Sequence, residues 1–446
     1  MLIHKAYRYK LEPTDEQLSL LYRMVGCGRY VYNASLDLML DEARKELGFE
    51  GERKALYERL NALKPADRIA LARKMPSVTQ LSKYTTQWKK TPERAFLTDA
   101  YTDNLQQRQR DLRDRALKDW CSGKRGFPRH RTRKLAHHST LRFVNFPKYC
   151  VLDRKHIKLP NKLGWMRYRN SRPVMGVPRS CTVTLDACGV WHISILCELD
   201  ITPASKAATA VGIDMGVARN MTLSTGEPYE GVASYAWHKE QLAKAQRKLS
   251  RKIKGSANWQ KQKKQVARLH RRIANIRLDY QHKHTTLISN NHAMVVVEDL
   301  RVSNMSRSAK GTLEQPGRMV RQKAGLNRSI LDQGWHTIRQ MLEYKVSWNG
   351  GIFLAVPPQY TSQTCPVCQH VCKDNRKTQA SFVCVKCGHA GNADVIAAQN
   401  ILSRGMQILQ EQGQDYARFA CEVNGAVMPS AAGTCQPSDQ LAPCTL

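Results

Sequence analysis

Two Cys-x-x-Cys pairs, Cys365-Pro-Val-Cys368 and Cys384-Val-Lys-Cys387, stand fifteen residues apart and leave that part of the chain little choice of fold. Each pair forms a knuckle whose two thiolates turn to one side, and two knuckles converging on one ion make a tetrahedral zinc site. Four sulfur ligands leave no open coordination position, so the expected zinc is structural and the site is not a hydrolytic centre. Cys372, His370 and His389 are surplus candidates beside it. Cys27, Cys121, Cys150, Cys181, Cys188 and Cys197 are scattered along a 446-residue chain. A disulfide-stapled secreted domain would crowd its cysteines into far fewer residues.

Charge narrows the partner. Lys and Arg number 71 against 37 Asp and Glu, a net charge of +34, and the isoelectric point is near 9.9. Such an excess repels itself unless a polyanion neutralises it, and nucleic acid does so while releasing condensed counterions. A membrane-spanning protein is excluded, because there is no run of about 18 apolar residues and the mean hydropathy is −0.52. The first ten residues, MLIHKAYRYK, alternate like a strand where a signal peptide needs a continuous apolar stretch. The expected compartment is the cytosol.

The chain divides by pattern. After the opening strand, Thr14 with Gln17 forms a capping box for a long helix ending near Gly48. Further helices are predicted near 52–63, from Ser77 with Gln80, and from Thr91-Pro92 through to Trp120. From Gly123 the basic loop GKRGFPRHRTRK leads into short alternating segments, predicting an antiparallel β-unit over 121–200 that takes in the N-terminal strand. A linker over 201–209 precedes VGIDMGVARNMTLSTGEPYEG, which reads as two strands turning near Gly216. Residues 238–290 read as a basic helical hairpin turning at Gly255 to Asn258. One arm carries the stripe Leu242, Leu249 and Ile253, and the other the seam Val266, Leu269, Ile273, Ile276 and Tyr280. Between Gln241 and Leu278 there is no acidic residue. A solvated face normally mixes signs, so Arg247, Lys248, Arg251, Lys252, Arg271 and Arg272 are candidate phosphate contacts. A buried strand AMVVVEDL, a polar basic loop over 303–327, a helix over 329–348, the strand GIFLAVP, the cysteine cluster and the helix ADVIAAQNIL follow. A loose tail occupies 412–446.

Three acids sit where hydrolytic chemistry would use them. Asp214 interrupts the apolar strand Val211 to Val217, Glu298 ends Val295-Val296-Val297, and Asp394 opens the helix after the knuckles. Asp299, beside Glu298, points to the other face of the strand. Taken singly these acids read equally well as a turn acid, a strand-end acid and an N-cap. Their order, together with GIDMG, VVVEDL, TSQTCPVC, CVKCGH and ADVIAAQNI, resembles the RuvC-type, RNase H-like core of the transposon-encoded TnpB family and the related type V CRISPR effectors. YRYKLEPTDEQ, GRYVYN, RKLSRKIKGSANWQKQKK and SILDQGWHTIRQMLEYKV extend the resemblance over most of residues 1–404. The chain departs from the family pattern at Ile396, where Asn is usual, at Ala393, where Arg is frequent, and at Gln369, where glycine often follows the second zinc cysteine.

The resemblance implies an α/β multidomain protein. Its parts would be a wedge-like β-barrel domain (1–12 plus 121–200), a helical recognition domain (13–120), a RuvC-like nuclease domain (205–358 plus 392–411) and an inserted zinc ribbon (359–391). It implies an RNA-guided DNA endonuclease of the prokaryotic, nucleoid-associated cytosol, with guide RNA and target double-stranded DNA as partners. Asp214, Glu298 and Asp394 would be catalytic and hold two magnesium or manganese ions; Cys365, Cys368, Cys384 and Cys387 would hold zinc. The basic loop over 303–327, with Arg307, Lys310, Arg318, Arg321, Lys323 and Arg328 on or beside it, reads equally as a lid over that site and as a disordered polar connection; Tyr30, Tyr32 and Asn33 fall in the N-terminal motif, where core packing explains the tyrosines equally well. The rival readings are a nucleic-acid-binding regulator of transposition without cleavage, which retention of all three acids opposes, and a guide-independent RuvC-like nuclease, which the large basic N-terminal half opposes.

Overall fold

The computed structural model describes residues 1–133, 139–203 and 209–413. The expected tail from 414 onward, residues 204–208 of the linker and Lys134 of the basic loop lie outside the described residues. The chain forms two compact units, one of Leu2–Asp200 with Lys263–Ala267, the other of Met1, Ile201–Gln262 and the chain from Arg268 onward.

The first unit contains β1 (Leu2–Glu12), α1 (Asp15–Leu47), α2 (Arg53–Ala62), α3 (Pro65–Lys74), α4 (Val78–Lys90), α5 (Thr102–Arg110) and α6 (Lys118–Cys121). It continues with β2 (Thr140–Phe143), α7 (Phe146–Tyr149), β3 (Val151–Leu152), β4 (His156–Leu159), β5 (Gly164–Arg169), β6 (Val177–Leu185) and β7 (Trp191–Asp200). The capping box of Thr14 and Gln17 opens α1, and Gly48 ends it in the left-handed conformation at φ 54°. A second capping box, Ser77 with Gln80, opens α4. The antiparallel sheet runs β2-β6-β7-β1-β5-β4-β3, with the N-terminal strand in its middle. Its inward residues, among them Tyr7, Tyr9, Phe143, Met166, Ile193 and Ile195, share a core with Leu20, Leu21, Met24 and Val25 of α1. The predicted barrel is an open sheet among the described residues, because β2 and β3 at its two edges do not pair.

The predicted helix from Thr91 to Trp120 is broken. Pro92–Asp99 winds as a 3-10 helix, and Tyr101 is extended at φ −60°, ψ 127° while its ring stacks on Phe143 at 6.1 Å. Asp111–Leu117 is π-helical. Leu112 and Leu117, five residues apart, are both buried in one core, and i→i+5 winding brings such a pair onto one face.

The second unit contains β8 (Ala210–Asp214), β9 (Met221–Leu223), β10 (Pro228–Tyr229), α8 (Ser234–Ser250), α9 (Ala257–Asn291), β11 (Met294–Glu298), α10 (Val302–Met305) and α11 (Val320–Gln333). Then come α12 (Trp335–Trp348), β12 (Ile352–Val356), β13 (Ser381–Val383), β14 (Ala390–Asn392) and α13 (Ala393–Glu411). The sheet order is β10-β9-β8-β11-β12; β8, β11 and β12 are parallel, and β9 and β10 antiparallel. Three expectations are corrected. Asp214 ends its strand instead of interrupting it. The helix predicted over 329–348 starts at Val320 and breaks at Gly334, whose φ is +71°; a Cβ there would lie 2.1 Å from Gln281 Nε2. Ile253, predicted on the apolar stripe, is 82% exposed, because the helix has already ended at Ser250.

Helix α13 crosses the sheet face with nothing between backbones. A Cβ on Gly212 would lie 2.1 Å from the Ala398 carbonyl oxygen, and one on Gly405 would lie 2.6 Å from Val296. Gly212→Ala is therefore expected to push α13 off β8 and lower the unfolding free energy by about 1–3 kcal/mol. Thermal denaturation of the variant beside the parent checks this; an unchanged melting temperature refutes the contact.

Candidate active site and zinc ribbon

Strands β8 and β11 run parallel with Ile213 opposite Val297. Asp214 and Glu298 are each the next residue, so they end adjacent strands at the carboxyl edge and point to the same face. Gly212 and Val296, two residues earlier, also lie on that face, and it is the one α13 covers. Asp394 precedes Ala398 by four helical residues, about 6 Å of rise, while Asp214 lies two strand residues, about 6.6 Å, beyond Gly212. The three acids are thus carried to one end of the sheet–helix contact.

The environment of each carboxylate is specific. Asp214 is half-buried. Burial pushes its pKa up to about 7, the negative charges of Glu298 and Asp394 add to the shift, and Arg376 and the Met215 amide oppose it. Glu298 is 7% exposed; burial raises its pKa, against a hydrogen bond from Thr361 and the charge of Arg404. Thr361 Oγ1 donates to Glu298 Oε1 at 2.6 Å. Asp394 accepts from Arg376 at 2.9 Å. Asp394 is not the N-cap: the Asn392 side chain accepts from the amides of Asp394 and Val395 at 3.0 and 3.2 Å, which frees the Asp394 carboxylate. Asp299 is exposed and pairs with Arg339 on α12, away from the other acids.

Sequence reasoning missed the groups that hold these acids. Asn400 Nδ2 donates to the carbonyls of Thr361 and Thr364 at 2.8 and 2.7 Å, and Arg404 to those of Pro357 and Gln359 at 2.7 and 2.9 Å. Thr361 lies within TSQTCPVC and Asn400 within ADVIAAQNI, so both sat inside recognised motifs. Arg376, in the polar loop between the knuckles, carried no local signal. Buried and half-buried carboxylates that repel one another and accept few hydrogen bonds suit a hard divalent cation. Their oxygens do not all lie within 4.8 Å; among the described residues only the four cysteines form such a group.

The cysteines fit zinc. Cys365 and Cys387 sulfurs lie 3.6 Å apart and Cys368 and Cys384 sulfurs 3.5 Å, close to the roughly 3.8 Å edge of a tetrahedron with 2.3 Å zinc–sulfur bonds. Burial raises the Cys384 thiol, but the amides of Cys387 and Lys386 and the neighbouring sulfurs outweigh it and bring the pKa to about 6. Cys372, His370 and His389 are outside the cluster; the His370 and His389 carbonyls instead accept from the Cys365 and Cys384 amides. In the basic hairpin Arg247, Lys248, Arg251 and Arg272 are exposed and Lys252 and Arg271 half-buried, while Gln262 Nε2 donates to the Ala245 carbonyl at 3.0 Å to join the arms. Among the described residues no helix is long and apolar enough to cross a membrane.

A family profile described as "Probable transposase" (OrfB_IS605) matches residues 192–309, a "Cas12f1-like, TNB domain" profile matches 335–401, and a helix-turn-helix profile matches 1–46. That last stretch forms β1 and one uninterrupted helix. The chain is 45% identical over 408 residues to the Escherichia coli K12 protein named "Putative RNA-guided DNA endonuclease InsQ", covering 91% of this chain and 93% of that protein. The chain belongs to the TnpB family. A Streptomyces pristinaespiralis protein named "Putative RNA-guided DNA endonuclease" is 34% identical over 91% of this TnpB chain and 90% of its own length. The solved Cas12f1–sgRNA–target DNA complex is similar at 16% identity with a TM-score of 0.31, over 90% of this chain and 100% of that one.

The departures from the TnpB pattern now have structural explanations. Ile396 is buried with Phe382, Cys365, Cys384 and Ala393 in the small core of the ribbon. Gln369 adopts φ +56° after the second cysteine of its knuckle, where Gly388 takes φ +73° in the other. A side chain there strains the backbone by about 1 kcal/mol. Gln369→Gly is expected to stabilise the ribbon by about that amount with zinc content unchanged, read as greater resistance to a chelator; faster zinc loss would contradict it.

Proposed function

We propose that this chain is an RNA-guided DNA endonuclease: it binds a guide RNA, reads a short motif beside its target in duplex DNA, and hydrolyses the target phosphodiester backbone at Asp214, Glu298 and Asp394. The observation that carries the reading is the gathering of these three acids at one end of the β8–α13 contact in a chain of net charge +34. The mixed sheet, with acids at the carboxyl ends of neighbouring parallel strands, supports a RuvC-like, RNase H-like nuclease core, and the ribbon and the first unit fit its zinc insertion and its recognition and wedge-like parts.

The three carboxylates would hold two magnesium or manganese ions. When bound, such ions activate water and stabilise the leaving oxygen. The chain's own residues set this up. Thr361 fixes one oxygen of Glu298 and leaves the other to coordinate. Arg376 holds Asp394 and puts a positive charge beside the place where a scissile phosphate would lie. Burial makes Asp214 and Glu298 poor at holding charge alone, which favours the cation-bound state. Base pairing with the guide would supply sequence specificity, while Arg247, Lys248, Arg251, Lys252, Arg271 and Arg272 would grip phosphates irrespective of sequence.

Asp214→Asn is expected to abolish magnesium-dependent cleavage of a guide-matched plasmid while leaving guide binding intact; cleavage by a clean preparation of the variant would remove Asp214 from the site. The same variant probes the electrostatics. A pKa raised from 3.8 to about 7 means that Asp214 favours the folded state most below pH 3.8 and loses that contribution as pH rises to about 7. Above pH 7 the metal-free Asn variant should melt at a higher temperature than the parent.

Replacing Arg251, Lys252, Arg271 and Arg272 by Gln is expected to reduce the dependence of log affinity on log salt by about 0.9 per lost phosphate contact. An unchanged slope would make the hairpin a solvated face.

A further inference from the structure

A cavity of about 330 Å³ opens where the loop after Asp214 meets α8 and α11, and its walls include Val217, Tyr235, Lys239, Gly325, Arg328 and Asp332. The helical spacing explains why these residues meet. Tyr235 and Lys239 are i and i+4 on α8, and Gly325, Arg328, Ser329 and Asp332 are i, i+3, i+4 and i+7 on α11, so each set lies on one helix face. Val217 is three residues past Asp214, at most about 11 Å of extended backbone. Gln333 Nε2 donates to the Val217 carbonyl at 3.1 Å, tying α11 to that loop.

The cavity carries one aromatic ring, two cations and a single acid already committed elsewhere. Asp332 accepts from Ser234 Oγ at 3.0 Å and from the Tyr235 amide at 3.1 Å, and faces Arg277 at 3.7 Å. Lys239 and Arg328 are both exposed. Ala233, on the cavity wall, has a left-handed backbone at φ 41°, ψ 35°, a conformation that disfavours a residue bearing Cβ. The paired bonds that Asp332 accepts hold this turn and so fix where α8 starts. On the opposite wall a Cβ at Gly325 would have no heavy atom within 4 Å, which leaves the α11 backbone open to close approach.

A flat ring flanked by cations, with no free acid, is the chemistry that takes a nucleotide from a single strand, the base on the ring and the phosphates on the cations. We propose that this cavity seats one nucleotide of the DNA strand being cut, with Tyr235 under the base and Lys239 and Arg328 on its flanking phosphates. The proposal rests on the endonuclease reading and adds to it a binding residue set outside the carboxylates.

The test uses the full chain with its copurified guide RNA. A 12-nucleotide single-stranded DNA carrying 5-iododeoxyuridine is irradiated with the complex and the crosslinked peptide sequenced, an assay that needs no cutting. Crosslinking to Tyr235 is expected; crosslinks confined to other elements, or a crosslink to Tyr235 only from iodouridine placed in the guide RNA, would overturn the proposal. In parallel, single-turnover cleavage is expected to slow about tenfold or more in Tyr235→Ala and in Arg328→Ala, with guide and target affinities unchanged, and to recover in Tyr235→Phe, which keeps the ring. Parental rates in Tyr235→Ala, or a Tyr235→Phe variant as slow as Tyr235→Ala, count against it. If the parent chain itself does not cut a guide-matched target, the endonuclease reading fails, and crosslinking still decides whether the cavity holds a DNA nucleotide.

Discussion

The packing of α13 directly onto β8 is the contact from which the rest of the second unit follows. Two glycines make it possible: Gly212 admits the Ala398 carbonyl and Gly405 admits Val296. Without a side chain between them, helix and strand lie closer than the usual spacing of packed elements. That closeness brings the first turn of α13 to the end of the sheet where Asp214 and Glu298 stand. The ribbon depends on the same helix, since β14 runs straight into it and Ile396 completes the ribbon core. The ribbon core and Asp394 therefore share the first turn of α13, and Arg376 ties the loop between the knuckles to the Asp394 carboxylate.

Gathering three carboxylates has an electrostatic cost that the chain meets only in part. Thr361 supports Glu298, and Arg376 pairs with Asp394. Among the described residues Asp214 has no such side-chain partner; the Met215 amide and the more distant Arg376 offset its burial incompletely, and its pKa is the one raised to about 7. A site that was only structural would be expected to neutralise such an acid with a dedicated cationic side chain. Leaving Asp214 undercompensated is instead what a site requires if a cation is to bind strongly and bring the remaining positive charge with it.

What the sequence made legible was whatever it encoded over a few neighbouring residues. Both capping boxes, the helix end near Gly48, the N-terminal strand and the two cysteine knuckles were all written in short spacings, whereas the place of that strand in mid-sheet, the parallel pairing of β8, β11 and β12 and the position of Asp214 at the end of its strand were not. What stayed hidden was set by distant partners. The break at Gly334 follows from Gln281, more than fifty residues earlier; the interruption at Tyr101 follows from Phe143; Arg376 gains its role only because the ribbon folds over α13. Ile253 failed for a different reason, since its period matched the stripe but the helix stopped three residues short of it. For the site, the cysteine knuckles stood in a local spacing and the proposed acids in the order that carries the resemblance, whereas the groups that orient the acids showed in neither.

The family usually places Asn two residues after the last acid, and this chain has Ile396. Polar orientation of Asp394 from that position is unavailable here, because Ile396 faces inward among Phe382, Cys365 and Cys384. The orientation is supplied from two other sides. Asn392 takes up the amides of Asp394 and Val395, which fixes the first turn of the helix, and Arg376 holds the carboxylate from the ribbon. Ala393, where Arg is frequent, is buried in the same small core and leaves Arg376 as the cation paired with Asp394. The substitutions thus shift one task from residues beside the acid to a residue across the ribbon. In this chain, the integrity of the cysteine cluster bears on the geometry of Asp394 more directly than it would if the helix supplied its own polar neighbour.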